Sequence, residues 1–258
     1  MNSPSGVMSV ILLEAAVGGS VVLWASGVWG AVRRGFFVLT GVTLALCAAG
    51  AWLIVRSEPA AASPSGARAA LALSVLTWLC TVWIVLLRIR RQGLAQAVGL
   101  VASVAGLVAL PLFAQLRHRM VLVGVAELAF GALFLGSTLY GLLLGHWYLV
   151  ERRLDPRHMI RGAWWYIAGV AGAVGAAGLS ALDPAPPTTG TAFSPLLAVP
   201  GFTVLLAAGL VTICALIAGF VWRLAHEGGR SIQAATGYFY LAVIMAFSAE
   251  LATKYRFF

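Results

Sequence analysis

Three carboxylates stand inside apolar stretches of this chain: Glu14, Glu127 and Glu250. An ionisable group within a spanning helix costs roughly 2.5–3.5 kcal/mol on insertion scales, and such groups commonly mark function. Counted from the nearest polar boundary, all three fall within roughly 10–12 Å of the same membrane face, at a rise of 1.5 Å per residue. Carboxylates at one shallow depth can take protons from a substrate and pass them to the adjacent water, as a quinol-oxidising site requires. The competing reading makes Glu14 and Glu127 polar glue, hydrogen-bonded between helices. On the first reading Glu14, Glu127 and Glu250 are the expected catalytic set.

Thr138, Tyr140 and His146 are the residues with which the chain would hold a cofactor, a quinone such as menaquinone or ubiquinone. Haem b needs two axial ligands on facing helices at similar depth. Only His146 with His226 approaches that, and His226 falls in a turn near water, so haem is disfavoured. His158 reads as belonging to another turn and His118 to the opposite face. Cys47, Cys80 and Cys214 each lie alone in apolar runs, without metal spacing, and read as buried structural thiols. No phosphate-binding glycine loop, nucleophile elbow or zinc-protease signature occurs.

The elements that must position these residues are helices crossing a bilayer. Of 258 residues 61% are hydrophobic and 10% charged, against about 25% charged in soluble domains. Spans need about 20 apolar residues, and eight are expected: Val7–Val32, Phe36–Val55, Ala69–Leu87, Leu94–Gln115, Val121–Val150, Ala163–Leu182, Leu196–Trp222 and Ile232–Ala252. The fold class is therefore an all-α polytopic membrane protein. Two connections, Ser57–Ala67 and Asp183–Pro195, are rich in proline and small residues and should be irregular. Pro111, and Pro200 with Gly201, would bend spans four and seven.

The net charge of +9 does not imply nucleic acid, because the basic residues lie almost wholly between spans, where they orient the chain and meet anionic lipid. Eleven arginines follow the odd-numbered spans: Arg33, Arg34, Arg88, Arg90, Arg91, Arg152, Arg153, Arg157, Arg161, Arg223 and Arg230. Six basic residues, among them Arg56, Arg68 and Lys254, fall on the other face. The excess places both termini outside, with the chain in a bacterial inner membrane. The first run lacks a basic leader and contains Glu14, which argues against a cleaved signal.

Glu14-Ala-Ala-Val-Gly18 and Glu127-Leu-Ala-Phe-Gly131 share one pattern. Arg34-Gly35 precedes aromatics in span two, as Arg161-Gly162 does in span six. Gln96-Ala-Val-Gly99 opens span four and Gln233-Ala-Ala-Thr-Gly237 span eight. The shared order suggests two parallel four-helix halves, residues 1–119 and 120–258. In span five, Glu127, Gly131, Phe134, Thr138, Gly141 and Gly145 fall on one helical face, which should meet other helices and not lipid. A crevice open to lipid is expected between the halves, with Glu14 and Glu127 at its mouth.

The close Ala249-Glu250-Leu251…Lys254-Tyr255-Arg256-Phe257-Phe258, with this topology, resembles the membrane anchors of respiratory oxidoreductases, the DMSO-reductase-anchor and polysulfide-reductase membrane-subunit families. Their last helix closes G-E-x-x-G-R-x-x-F. This chain departs from it, with Ala249 at the first glycine and Thr253-Lys254 near the second glycine and arginine. The resemblance implies a quinone-exchanging subunit without its own haem, served by an iron–sulfur partner protein. Among site residues it reaches Glu250 alone. Two other classes compete: a small secondary transporter, and a structural or assembly subunit. A transporter needs a polar midplane site, for which Ser26, Ser103, Ser137, Thr138, Tyr140 and Thr212 are available but no charge.

Overall fold

A computed structural model describes residues 4–58, 62–117, 120–151, 153–180 and 201–255. They form eight helices: α1 Pro4–Ala25, α2 Arg34–Ser57, α3 Pro64–Arg88, α4 Gln92–Arg117, α5 Val121–Val150, α6 Arg157–Ser180, α7 Phe202–Glu227 and α8 Ser231–Tyr255. Each is long and apolar enough to cross a membrane. Such helices satisfy their own backbone polar groups, which hydrocarbon cannot do for them.

Boundaries differ from the hydropathy reading where backbone chemistry intervenes. The first span does not reach Val32. Gly27 and Gly30 take positive φ values of 66° and 78°, which end α1 at Ala25 in a turn. The apolar Val28 and Val32 are instead buried within that turn. Ser26 accordingly sits at a helix end and not at the midplane. The Ser57–Ala67 connection is shorter than expected. Ser63 caps α3 by accepting from Gly66 N at 3.0 Å, and Pro64 occupies the first turn, where its missing N–H costs nothing. Gly201 (φ 78°) stands ahead of α7 and so does not bend it. Pro111 lies inside a continuous α4. His158, read as a turn residue, is buried in the first turn of α6. Asp183–Pro195, Pro200 and His118 lie outside the described residues.

Each helix packs on its chain neighbours; α1 also meets α4, α5 and α8, and α5 also meets α2 and α8. The two central helices are α1 and α5. The remaining surface is studded with exposed apolar side chains, including Leu71, Trp78, Leu205 and Leu216, as a lipid-facing wall should be. The expected face of α5 is enclosed throughout: Glu127, Gly131, Phe134, Thr138, Gly141 and Gly145 are all buried.

The α1–α5 crossing is close because both helices lack side chains there. A Cβ on Gly18 would fall on the carbonyl oxygen of Ala132, and one on Gly136 on the backbone of Gly18. Both obstacles are backbone and cannot rotate away. At the other end, Arg33 bonds Glu151 at 3.0 Å, and Trp147 Nε1 donates to the same carboxylate at 3.1 Å. These tie the turn after α1 to the end of α5.

Replacing Gly18 by Val should overpack this crossing and cost about 1–3 kcal/mol or more, read as a lowered unfolding midpoint in detergent. Gly219→Ala in α7, where an added Cβ meets nothing within 4 Å, should not lower that midpoint and can raise it slightly.

Candidate functional site

Helices α1, α5 and α8 bring Glu14, Glu127, Glu250 and Lys254 into one interior region. Relative exposures are 0%, 1%, 4% and 2%. The Lys254 ammonium lies 2.6 Å from Glu14 Oε1 and donates to Glu250 Oε2 at 2.7 Å. Glu127 stands within electrostatic reach of both Glu14 and Lys254. A lone ammonium or carboxylate buried in such a core is prohibitively costly, and pairing makes it tolerable.

Local sequence explains the geometry. Glu250 and Lys254 are four residues apart on α8, so their side chains share a helical face. Glu14 comes from α1 and requires space on α5, which Gly131 supplies. A Cβ there would approach Glu14 Cδ to 2.8 Å. The glycine of the second Glu-x-Ala-x-Gly pattern thus receives the glutamate of the first. Lys254 was read from the sequence as an outward orientation charge, because the hydropathy of span eight ends at Ala252. The signal available was the Glu250–Lys254 spacing, which on a helix extended by one turn makes an ion pair.

Beside the cluster lies a cavity of about 420 Å³ between α6, α7 and α8. Its walls are chiefly alanine, with Ala173, Ala176, Ala207 and Ala249 among them, and Glu250 contributes the carboxylate. Val174 and Val204 also line it and are 61% and 60% exposed, so part of the cavity wall lies at the surface of the described residues. Its size falls within the range of small-molecule sites. The sequence placed such an opening at the seam of the halves, with Glu14 and Glu127 at the mouth. Here the residue in the wall is Glu250, and Glu14 stands one ion pair further inside. Small residues explain the location: alanines on three neighbouring helices leave the space, whereas the α1–α5 seam is closed by glycine contact.

The expected cofactor residues are not gathered at this site. Thr138 Oγ1 donates to Phe134 O of its own helix at 2.6 Å. Tyr140 is buried against Phe36, near Ser26 and Arg161, towards the opposite end of the bundle. His146 is exposed, its Nδ1 3.3 Å from the Tyr240 hydroxyl. His226 Nδ1 lies 2.8 Å from the carbonyl of Trp222 on its own helix. The midplane hydroxyls bond their own helices: Ser103 donates to Gly99 O, Ser137 to Phe134 O and the exposed Thr212 to Ala208 O. Such back-bonding leaves them poor candidates for a transported solute's site. Among the described residues no group of three or more His, Cys, Asp and Glu could hold a metal, and all three cysteines are free thiols.

Lys254→Met should destabilise the protein by about 3–5 kcal/mol, the cost of stranding buried charge. Combining it with Glu14→Gln and Glu250→Gln should recover part of that loss. Unfolding midpoints of the single and triple variants in one detergent measure both. Comparison of this chain with protein-family models, with curated proteins and with solved structures found no match.

Proposed function

We propose that this protein is the membrane subunit of a respiratory electron-transfer complex, and that the cavity between α6, α7 and α8 takes a quinol whose protons are received at Glu250. The observation that carries this reading is a carboxylate, ion-paired to a buried lysine, in the wall of a largely apolar cavity. The fit is chemical: a lipophilic ring carrying hydroxyls needs apolar walls and at least one proton acceptor. A quinol supplies two electrons and two protons on oxidation: the electrons would pass to an iron–sulfur partner protein, and Glu250 would take the protons one after the other, releasing each to the adjacent water.

The chain's own residues provide binding and proton handling. The alanine walls exclude water and admit a flat ring. Glu250 receives a proton at its carboxylate. Lys254 then remains paired with Glu14, so protonation of Glu250 does not strand the ammonium. Counted over Glu14, Glu250 and Lys254, the set carries a formal charge of −1 when ionised and 0 with one proton bound. It alternates between two states that the interior can accommodate. Glu127 contributes to the field at Lys254.

The proposal includes the grouping of residues 1–119 and 120–258 as two four-helix halves. Its support is the packing of α1 on α4 and of α5 on α8, which closes each set of four. It also includes a bacterial inner membrane with both termini outside, supported by the arginine-rich turns after α1, α3, α5 and α7.

The test is solvent extraction of the protein purified in mild detergent. Stoichiometric quinone is expected from the wild type and background from Ala207→Trp, which fills the cavity. Glu250→Gln should retain quinone but fail to turn over quinol. A wild-type preparation with no more quinone than an unrelated membrane protein contradicts the proposal.

A further inference from the structure

On the face opposite the acidic cluster, the α5–α6 and α7–α8 turns enclose a second cavity of about 430 Å³. It is lined by Arg153, Asp155, Arg230 and Gln233, with the buried Tyr148 and Leu154 at its back. The charge balance is positive. Asp155 is already engaged: Oδ1 accepts from Arg157 N at 2.9 Å, and Oδ2 pairs with Arg157 Nε at 3.2 Å. Arg153 and Arg230 form no ion pair among the described residues. Two planar donors therefore share one concavity, and among the described residues neither has a carboxylate within ion-pair distance.

The site is braced from below. Tyr148 donates its hydroxyl proton to Asp155 O at 2.5 Å and accepts from Met159 N at 3.3 Å, which locks the α5–α6 turn onto α6. The cavity borders the first turn of α8 and the residues just ahead of α6. A smaller cavity of about 150 Å³ repeats the composition at the beginnings of α2 and α4, lined by Arg33, Arg34, Gln92 and Gln96. Gln96 and Gln233 are the residues matched by the internal sequence repeat.

We propose that the Arg153–Arg230 cavity binds a phosphate group, and that the group is the phosphodiester of an anionic lipid headgroup. Guanidinium forks suit phosphate oxygens. The cavity stands at the ends of spanning helices, the depth at which headgroups lie. Arg153 and Arg230 would take the phosphate oxygens, and Gln233 the neighbouring glycerol hydroxyls. This inference does not depend on the function of the carboxylate–lysine cluster.

The test is native mass spectrometry of the full chain in detergent, titrated with phosphatidylglycerol, with phosphatidylcholine, or with inorganic phosphate alone. Phosphatidylglycerol should be retained over phosphatidylcholine. The double variant R153Q/R230Q should bind it roughly tenfold to thirtyfold more weakly, at about 1 kcal/mol per arginine. Arg223→Gln, which removes an exposed charge on the same face outside the cavity, should bind as wild type. Unchanged unfolding midpoints for these variants separate lost binding from lost fold. Displacement of the lipid by inorganic phosphate would mark the phosphate itself as the recognised group, and persistence would mark the whole headgroup. Equal retention by R153Q/R230Q and wild type, or equal loss in Arg223→Gln, overturns the proposal.

Discussion

One ammonium group, Lys254, pairs with the carboxylates of Glu14 and Glu250, with Glu127 close by, in an interior that is mostly apolar. None of the three charges is tolerable there alone, so α8 is bound to α1 by a constraint stronger than apolar contact. Within a bilayer that matters more than in water, since lipid tails compete equally well for apolar surface. The ion pair also dictates what surrounds it. Glu14 reaches Lys254 only because α5 presents Gly131 instead of a side chain, and α1 and α5 approach only because Gly18 and Gly136 leave their backbones bare. Glycines that carry no chemistry thus set the position of the residues that do.

From the same constraint follows a division of labour among the helices. Those that hold the cluster, α1, α5 and α8, are joined by close contact and charge. α6 and α7 meet the cluster's edge through alanines, valines and threonines, and there space remains for a ligand. The contrast in packing accounts for a cavity beside the ion pairs and not among them. It also makes Glu250 the group with two roles: bonded to Lys254 on one side, exposed to the cavity on the other.

Much of this was legible in the sequence, and the reasons differ by element. Helix count and the buried face of α5 follow from hydropathy and a 3.6-residue period, because both are properties of single segments. The end of α1 was hidden, since residues 26–32 are apolar enough to continue a span while Gly27 and Gly30 turn the chain. Lys254 was hidden for the converse reason: a charge past the hydrophobic run reads as a loop residue, although α8 continues through it to Tyr255. The three acids could be placed at one depth from topology. Which of them faces a cavity depended on side-chain volumes on α6 and α7, far away in sequence, and no periodicity reports that. Thr138 and Tyr140 illustrate the same limit. Their polarity suggested a ligand site, yet one bonds its own helix and the other is packed against Phe36.

The proposal stands on proton transfer to Glu250 as a quinol in the neighbouring cavity is oxidised. Infrared difference spectroscopy of the purified protein, recorded while bound quinol is oxidised by an added one-electron acceptor such as ferricyanide, in light and heavy water, reads carboxyl protonation directly. A carboxyl C=O band that shifts on deuteration should appear as the quinol is oxidised and be missing in Glu250→Gln. Identical difference spectra for wild type and Glu250→Gln would contradict it.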